Sequence, residues 1–417
     1  MCVCYNIFMK IAILGYGKEG KSVENYFKEK SSEIKIFDGF TNEGLEKLDL
    51  NGFDMVFRSP SVKPLDSSWT SITKYFFDNC ICPIIGVTGT KGKGTTCSMI
   101  TAILESLGKT VHLVGNIGNP ALDILDKIQP EDIVVYEMSS FQLWDLSVSP
   151  KISVVLRIEP DHLNVHKDFE DYKNAKSHIA EFQAESDSCI FFKDNENSVE
   201  IAEKSAGKKF PYPLEGKSEL LKEVLNSLTV PGDHNKENAE AALLAVSAFF
   251  ELPLEKFLEE NKSAIKSALS SFKGLPHHIE FIRELNGVKY YDDSFSASFP
   301  SLDAALKSFP ENKIVLIAGG KDRNLDLNPA KRVIFDNKNL EKAVLIGETK
   351  ELLSSKENPD KFILCDTLES AVGTAQEIAE NTENSIVLLS PGAASFDMFK
   401  DFYDRGEKFQ ALVKGLN

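Results

Sequence analysis

Short apolar runs that end in glycine or a small polar residue recur along this chain, and helix-like segments separate them. Runs of this kind are typical of strands buried on both faces of a parallel sheet, with helices as the crossover connections. The alternation is clearest in the last third, where the runs are KIVLIAGG, KAVLIG, KFILC and SIVLLSPG. We therefore predict an α/β chain built on doubly wound parallel sheets.

The runs fall into three blocks, and 417 residues are too many for one ordinary core. The first block covers residues 1–81. Its first strand is KIAILGYG, and we predict that the block forms a Rossmann-like domain. Residues 82–271 begin with the strand PIIGVTG, which leads into a glycine-rich loop and a helix. Residues 272–417 predict a second Rossmann-like domain. Three α/β domains in tandem imply clefts between them, where ligands commonly bind.

Composition narrows the function classes. The formal net charge of −16 argues against a nucleic-acid partner, because phosphate backbones require a basic surface. No apolar run reaches the roughly 18 residues that a membrane helix needs, and the N-terminus lacks signal-peptide features. The seven cysteines have no zinc-site spacing and predict free thiols in a reducing compartment: Cys2, Cys4, Cys80, Cys82, Cys97, Cys189 and Cys365. We expect a cytoplasmic protein without a membrane partner. The first predicted strand begins directly at Met9, so Met9 is an alternative translation start to Met1.

The sharpest local motif is the glycine-rich loop after PIIGVTG. It consists of Gly89, Thr90, Lys91, Gly92, Lys93, Gly94, Thr95 and Thr96. Inward-turned amides and the following helix N-terminus suit phosphate oxygens, and Lys93 would add a cation at the β- and γ-phosphates. The strict phosphate-loop pattern fails, because Val87 replaces its first glycine and Gly94 its hydroxyl residue. The alternative is a glycine-rich turn with exposed lysines.

Acidic and imidazole groups follow two further strands. Glu137 ends the run DIVVYE, and His162 lies in EPDHLNVH, just past ISVVLRI. The carboxyl edge of a parallel sheet is where such folds gather ligand groups, and an imidazole can bind a metal. The alternatives are a solvated strand-end carboxylate and a surface histidine.

The first block contains a G-x-G-x-x-G motif, from Gly15 and Gly17 through Lys18 to Gly20, with Asp38 at a strand end about twenty residues later. Taken alone, this pattern predicts a dinucleotide site. Nothing further along the chain resembles a hydride-transfer site, which argues against NAD as the ligand.

Taken in order, the motifs resemble the Mur ligase family over nearly the whole chain. They are GTKGKGTT, NIG, YEMSSFQL, EPDHLNVH, DYKNAK, DHNKENAEAA, FKGLPHHIE, DDSFSAS, AGGKDRNLDL and SPGAASFDMFKDFYDRGEKF. The last motif is most similar to that of members adding D-glutamate to UDP-N-acetylmuramoyl-L-alanine. The resemblance implies ATP-dependent amide-bond formation through an acyl phosphate, in peptidoglycan precursor synthesis. It implies ATP, Mg²⁺, the nucleotide sugar and D-glutamate as ligands, and we expect a monomer.

The resemblance also implies residue roles. Lys93 and the rest of the loop would bind ATP, with Asn235, Asn238 and Asp293 around the nucleotide. Mg²⁺ would be held by Thr95 or Thr96, by Glu137, by His162 and by Lys176 as a CO₂-derived carbamate; the alternative for Lys176 is an ordinary surface lysine. Catalysis would rest on Lys93, Glu137, His162 and Lys176. The UDP-substrate would contact Gly15, Gly17, Lys18, Asp38, Ser59 and Asn116, and the amino acid would contact Arg323, Ser395 and Phe402.

The chain departs from the family pattern in several places: Gly94 for a hydroxyl residue, His278 for arginine, Arg323 for lysine, and Phe295 and Ala297 for polar residues. Arginine keeps the charge of lysine but not its geometry.

Two alternative functions stay open. One is a folylpolyglutamate synthase-like or other Mur-type ligase, which Gly94 favours slightly. The other is a nucleotide-binding homologue without turnover.

Overall fold

The computed structural model describes residues 9–39, 42–323, 326–354 and 359–417, apart from the side chains of residues 42 and 43. Cys2, Cys4 and the alternative start of the chain lie outside or at the edge of this range. The predicted α/β class is confirmed, because each predicted block contains its own wholly or mainly parallel sheet. No helix in the described ranges is long and apolar enough to cross a membrane.

The first sheet has four parallel strands in the order β2-β1-β3-β4. Its elements are β1 (Met9–Leu14), α1 (Lys18–Phe27), β2 (Ser31–Phe37), α2 (Asn42–Leu45), β3 (Met55–Arg58), β4 (Thr70–Ser71) and α3 (Ile72–Asn79). The apolar end of β1 is fully buried, as a central strand covered on both faces requires.

The second sheet has six parallel strands in the order β10-β9-β8-β5-β7-β6. Its strands are β5 (Ile84–Thr88), β6 (Val111–Gly115), β7 (Ile133–Glu137), β8 (Ile152–Val155), β9 (Ser188–Phe192) and β10 (Lys208–Tyr212). The helices are α4 (Lys93–Ser106), α5 (Leu122–Leu125), α6 (Ser140–Leu143), α7 (Phe169–Glu181), α8 (Glu196–Glu203), α9 (Glu219–Leu225), α10 (Asp233–Phe249) and α11 (Leu254–Ser271). Strands β5 and β7 are adjacent, so the loop after β5 and the residue ending β7 share one edge.

Among the described residues, the third sheet has six strands in the order β11-β12-β16-β13-β14-β15, of which the β11–β12 pair alone is antiparallel. Its strands are β11 (Glu280–Leu285), β12 (Val288–Asp292), β13 (Lys313–Gly319), β14 (Leu340–Ile346), β15 (Phe362–Leu364) and β16 (Ser385–Leu389). The helices are α12 (Phe299–Lys307), α13 (Asn328–Asp336), α14 (Lys350–Leu353), the 3₁₀ turn Pro359–Lys361, α15 (Leu368–Glu380) and α16 (Phe402–Gly415).

The chain divides into two compact units. One contains the residues up to Ser227 together with Glu237–Leu269, and the other contains Leu228–Lys236 and Ser270–Asn417. The first and second sheets therefore belong to one unit, and the predicted division into residues 1–81, 82–271 and 272–417 stays a prediction.

An ion pair joins the first two sheets. The guanidinium of Arg58, at the end of β3, is 1% exposed and donates to both carboxylate oxygens of Asp145, which follows α6. The same guanidinium also donates to the carbonyl oxygens of Val62 and Phe141, both at 3.2 Å. A buried arginine needs this degree of pairing, because an uncompensated buried charge is strongly destabilising.

Candidate active site

The loop between β5 and α4 is shaped by glycines at positions that no side chain could occupy without clashes. Gly92 has φ = 84°, and a Cβ there would lie 2.7 Å from Oδ1 of Asn238. A Cβ on Gly89 would lie 2.6 Å from Cβ of Leu156. The backbone therefore approaches its neighbours closely and leads directly into the N-terminus of α4, as an anion-binding loop requires.

Lys93, the first residue of α4, folds back over this loop. Its Nζ donates to the carbonyl oxygens of Gly89 and Thr90, each at 3.0 Å. Burial lowers the pKa of Lys93, and the negative charges of Glu137 and Asp161 oppose that shift. The Lys93 nitrogen thus lies at the loop after β5, as the sequence predicts.

Lys176 reaches the same loop from α7. It is only 1% exposed, so the alternative of an ordinary surface lysine is wrong. Its Nζ donates to the carbonyl oxygen of Gly89 at 2.9 Å and to Oγ1 of Thr88 at 3.2 Å. Burial lowers the pKa of Lys176 well below its ordinary value, and the nearby positive charge of Lys93 lowers it further. Both effects shift the equilibrium of Lys176 toward the neutral amine.

Glu137 ends β7 and is buried, in contrast to the solvated alternative. Its Oε1 accepts from Nδ2 of Asn116 at 3.0 Å, and its backbone carbonyl accepts from Asn116 N at 3.1 Å. The sequence predicts that Asn116 contacts the nucleotide sugar, and in this structure its side chain hydrogen-bonds to Glu137. The carboxylate interacts electrostatically with both Lys93 and Lys176.

The hydroxyl residues of α4 differ in accessibility. Thr95 is partly exposed, whereas Thr96 is fully buried, with its Oγ1 lacking a hydrogen-bond partner in the described structure. Thr95 is therefore the residue whose hydroxyl can reach a ligand from solvent. Lys91 is exposed and Gly94 is partly buried within the first turn of α4.

His162 and His166 lie beside an aromatic group that also contains Phe141 and Trp144. The side chain of His162 is 49% exposed, its backbone has φ = 54°, and its ring centroid is 5.0 Å from that of Phe141. His166 is buried between Asp171 at 3.0 Å and the hydroxyl of Ser140 at 3.0 Å. Burial lowers the pKa of His166. Because His166 is buried and both of its ring nitrogens have partners, we interpret it as a packing and hydrogen-bonding residue. The half-exposed His162 is accessible to a ligand.

Two residues near the loop were not assigned roles from the sequence. The phenol of Tyr172 lies 3.0 Å from Oγ1 of Thr90, which also accepts from Glu159 N at 2.9 Å. The carboxylate of Asp161 interacts electrostatically with Lys93 and Lys176. Asp161 lies inside the motif EPDHLNVH and Tyr172 inside the motif DYKNAK, so both motifs contained the signal.

The glycine motif of the first sheet has the form that a diphosphate would need. Gly15 has φ = 87°, and a Cβ there would lie 3.0 Å from the side chain of Ser59, whose Oγ donates to the Gly15 carbonyl at 2.7 Å. Asp38 accepts from Tyr16 N at 3.2 Å. Gly17 caps α1, and Lys18 is exposed at its first position. The predicted UDP-binding residues of this block therefore lie together at the end of β1.

An acidic residue in the same motif was missed. Glu19, in the first turn of α1, accepts at Oε1 from Nε2 of Gln142 at 2.8 Å, while its buried Oε2 has no partner in the described structure. Burial raises the pKa of the Glu19 carboxyl to about 7, and the Gln142 hydrogen bond opposes that shift. Gln142 belongs to YEMSSFQL, so this contact links two of the motifs.

The second unit holds the other predicted residues. Asn235 is buried and donates to the Pro231 carbonyl at 2.6 Å. Asp293 follows β12 and accepts from the hydroxyl of Ser390 at 2.7 Å. Burial raises the pKa of Asp293 to about 8, with the Ser390 hydrogen bond opposing. Asn238 belongs to the first unit, so the predicted nucleotide residues are divided between the two units.

The predicted amino-acid residues lie along two neighbouring segments. Phe402 begins α16, and its ring centroid is 5.0 Å from that of Phe295, which stacks on His278 at 4.0 Å. Ser395 is buried. Arg323 is exposed, two residues beyond Lys321, whose backbone N donates to the carbonyl of Ala394 at 2.8 Å. Phe295, which stands where the family pattern has a polar residue, therefore lies beside Phe402.

At one edge of the second sheet, the structure brings together a phosphate-loop backbone, two lysine nitrogens and a buried carboxylate. The two lysines can meet anionic oxygens, and the oxygen atoms of Glu137 and Thr95 are ligands that a hard divalent cation prefers. Such a set suits transfer of a phosphoryl group.

Comparison with known proteins agrees with this arrangement. The sequence model of a family described as the Mur ligase middle domain matches residues 87–246. The chain is 32% identical to a UDP-N-acetylmuramoylalanine–D-glutamate ligase of Acetivibrio thermocellus, over 98% of this chain and 96% of that protein. Two solved structures share the fold. A UDP-N-acetylmuramate–alanine ligase of Thermotoga maritima has TM-score 0.60 and 17% identity, covering 97% of this chain and 99% of that one. A Mycobacterium tuberculosis folylpolyglutamate synthase has TM-score 0.60 and 13% identity, covering 83% and 95%.

Proposed function

The chain belongs to the Mur ligase family, and from that premise we propose that it joins D-glutamate to UDP-N-acetylmuramoyl-L-alanine, converting ATP to ADP and phosphate. The reaction is an acid–amino-acid ligation that serves peptidoglycan precursor synthesis. The observation that supports it most is the meeting of Lys93, Lys176 and Glu137 at the loop after β5.

In the first step, the carboxylate of the nucleotide-sugar substrate attacks the γ-phosphorus of ATP and forms an acyl phosphate. Two anions must approach each other, so the site must offset their repulsion. The loop amides at the start of α4 bind phosphate oxygens, and the Nζ of Lys93 follows the charge as it develops. Gly92 lets the backbone approach the phosphates closely.

In the second step, the amine of D-glutamate attacks the acyl carbon. A tetrahedral intermediate then expels phosphate, the amine proton leaves to solvent or a nearby base, and the amide remains. Catalysis in both steps is mainly positioning and electrostatic stabilisation, so exclusion of water from the acyl phosphate also matters.

Mg²⁺ fits the oxygen ligands at this edge of the sheet. Glu137 is buried, carries a carboxylate oriented by Asn116, and shares the edge with the partly exposed hydroxyl of Thr95. The side chain of His162 is half exposed and therefore accessible to a ligand. When bound, Mg²⁺ would neutralise phosphate charge and polarise the transferring group.

Lys176 is proposed to carry a carbamate. Carbamate formation requires a neutral amine, and burial together with Lys93 favours that form. The modification would place an anion beside Lys93, and it would supply a carboxylate oxygen for Mg²⁺. The carbamate would also prevent the repulsion that a protonated Lys176 would exert on Lys93 at their shared carbonyl oxygen.

The remaining ligand assignments are proposals of the same kind. The diphosphate of the nucleotide sugar would lie at Gly15, Gly17 and Lys18, with Asp38 and Ser59 at its nucleoside. Asn235, Asn238 and Asp293 would surround ATP, and Arg323, Ser395 and Phe402 would contact D-glutamate. A monomer in the cytoplasm, with domains at residues 1–81, 82–271 and 272–417, completes the proposal.

A folylpolyglutamate synthase-like ligase is the second candidate, and one observation favours it: Gly94 replaces a hydroxyl residue directly after Lys93. Phosphate release measured across amino acids and acceptors separates the candidates. We expect release only when UDP-N-acetylmuramoyl-L-alanine and D-glutamate are both present. Release with a folate acceptor and L-glutamate would support the second candidate, and no release with any pair would support a binding protein without turnover.

A further inference from the structure

Two cysteines lie close together outside the candidate active site. Cys80 ends α3 as its C-cap residue, and Cys82 lies two residues before the start of β5. Their sulfur atoms are 3.7 Å apart, and the Cys80 sulfur is 3.4 Å from the carbonyl oxygen of Cys82. The pair therefore lies on the connection from the first sheet to the second.

The other described cysteines have different surroundings. Cys97, Cys189 and Cys365 are buried, and within the described ranges none has a second cysteine sulfur in contact distance. The Cys365 sulfur lies 3.9 Å from Oγ1 of Thr374. A two-thiol reaction within this chain is therefore confined, among the described cysteines, to Cys80 and Cys82.

We propose that Cys80 and Cys82 form a redox site, which a hydroperoxide oxidises to an intramolecular disulfide and a dithiol reductant restores. In the first step the Cys80 thiolate takes one oxygen from the hydroperoxide, which leaves as water or an alcohol after protonation. In the second step the Cys82 thiol displaces that oxygen as water and forms the S–S bond. Two thiols are thereby oxidised by two electrons, and the hydroperoxide is reduced by two.

The order of the two thiols follows from their environments. Cys80 is partly exposed and can meet a dissolved oxidant, whereas Cys82 is 7% exposed and packs in the core. Hydrogen bonding with the Cys82 side chain lowers the pKa of the Cys80 thiol, and burial opposes that shift. The same contact raises the pKa of Cys82. Cys80 is thus the attacking sulfur, and Cys82 resolves the product.

The local backbone can accommodate the bond. A disulfide has an S–S length of about 2.05 Å, so the sulfurs must approach by roughly 1.6 Å from their present 3.7 Å. Cys80 has left the helical conformation, with φ = −73° and ψ = 126°. Ile81, between the two cysteines, is 61% exposed, so its side chain does not resist a small movement.

The test uses the full-length native protein. Trypsin releases a peptide covering residues 75–91, which contains these two cysteines and no others, so the state of this pair can be measured separately. The protein is exposed to hydrogen peroxide, blocked with iodoacetamide, digested and analysed by mass spectrometry. We expect the peptide to lose two hydrogens and to take up iodoacetamide at both cysteines only after dithiothreitol. Two freely alkylated thiols after peroxide treatment, or oxygen added at Cys80 with Cys82 still alkylated, would overturn the proposal.

Matched variants sharpen this result. Cys82→Ser should stop the reaction at the sulfenic acid of Cys80, which dimedone traps, whereas Cys365→Ser should leave the disulfide unchanged. Should Cys82→Ser fold poorly, the wild-type peptide still decides the question. The readout does not depend on ligase activity, so the redox site and the proposed function can fail independently.

Discussion

Lys93 and Lys176 donate to the same carbonyl oxygen, that of Gly89, at 3.0 Å and 2.9 Å. One lysine begins α4 and the other lies in α7, so two distant parts of the sequence place nitrogen atoms at one point. Two ammonium groups this close repel each other, and burial strengthens that repulsion. The arrangement is easiest to maintain when one lysine remains a cation and the other loses its charge.

Lys93→Ala should lower kcat/KM by roughly 100-fold or more, a loss of about 3 kcal/mol in transition-state stabilisation, because the developing phosphate charge loses its partner. Steady-state phosphate release measures the effect. Lys109→Ala is the matched control, since Lys109 is exposed just beyond α4. Equal activity of the two variants would contradict the role of Lys93.

Lys176→Ala should abolish most activity, and a short carboxylate added in solution should restore part of it, because it would replace the carbamate oxygen. Wild-type enzyme depleted of CO₂ should lose activity and regain it with bicarbonate. Carbon-13 NMR with labelled bicarbonate should show one carbamate signal that is missing in the variant. Full activity without bicarbonate, and no such signal, would contradict the modification.

Asn116→Ala separates two roles of one residue. If its main role is to orient Glu137, as the 3.0 Å hydrogen bond indicates, the Mg²⁺ concentration for half-maximal activity should rise roughly 10- to 100-fold. If it mainly contacts the nucleotide sugar, the KM for that substrate should rise instead. Asn174→Ala, at an exposed position of α7, is the control.

Glu19 should make stability depend on pH. Its carboxyl pKa is raised from 4.5 to about 7, so the neutral form suits the fold. Stability linked to this group is complete below pH 4.5 and is lost as pH rises through 7. Glu19→Gln should therefore unfold like wild type at about pH 5 and be more stable by roughly 2 kcal/mol at about pH 8, allowing for partial exposure. Thermal unfolding of both proteins at both pH values measures this effect. The same stability difference between variant and wild type at pH 5 and at pH 8 would contradict it.

Much of the fold was predictable from the sequence. Buried strands such as β5 and β13 are continuous apolar runs, and these identify parallel sheets without further information. Strand order and the antiparallel pair β11–β12 were not predictable, because the periodicity of a strand does not specify its neighbour.

The candidate site was predictable only in part. The motifs gave Lys93, Glu137 and Lys176, but the shared Gly89 carbonyl depends on how α7 packs beside β5. The contact between Glu19 and Gln142 was missed for the same reason: it joins residues 123 positions apart. Contacts between side chains far apart in the sequence depend on tertiary packing, so no local sequence pattern predicts them.

The most direct test of the central claim is the position of a bound divalent cation. We expect crystals grown with Mn²⁺ and a non-hydrolysable ATP analogue to show an anomalous peak about 2.2 Å from a Glu137 oxygen, beside phosphates held by the loop after β5. Electron density should also extend beyond Nζ of Lys176. A peak away from Glu137, with the nucleotide bound elsewhere, would contradict the account.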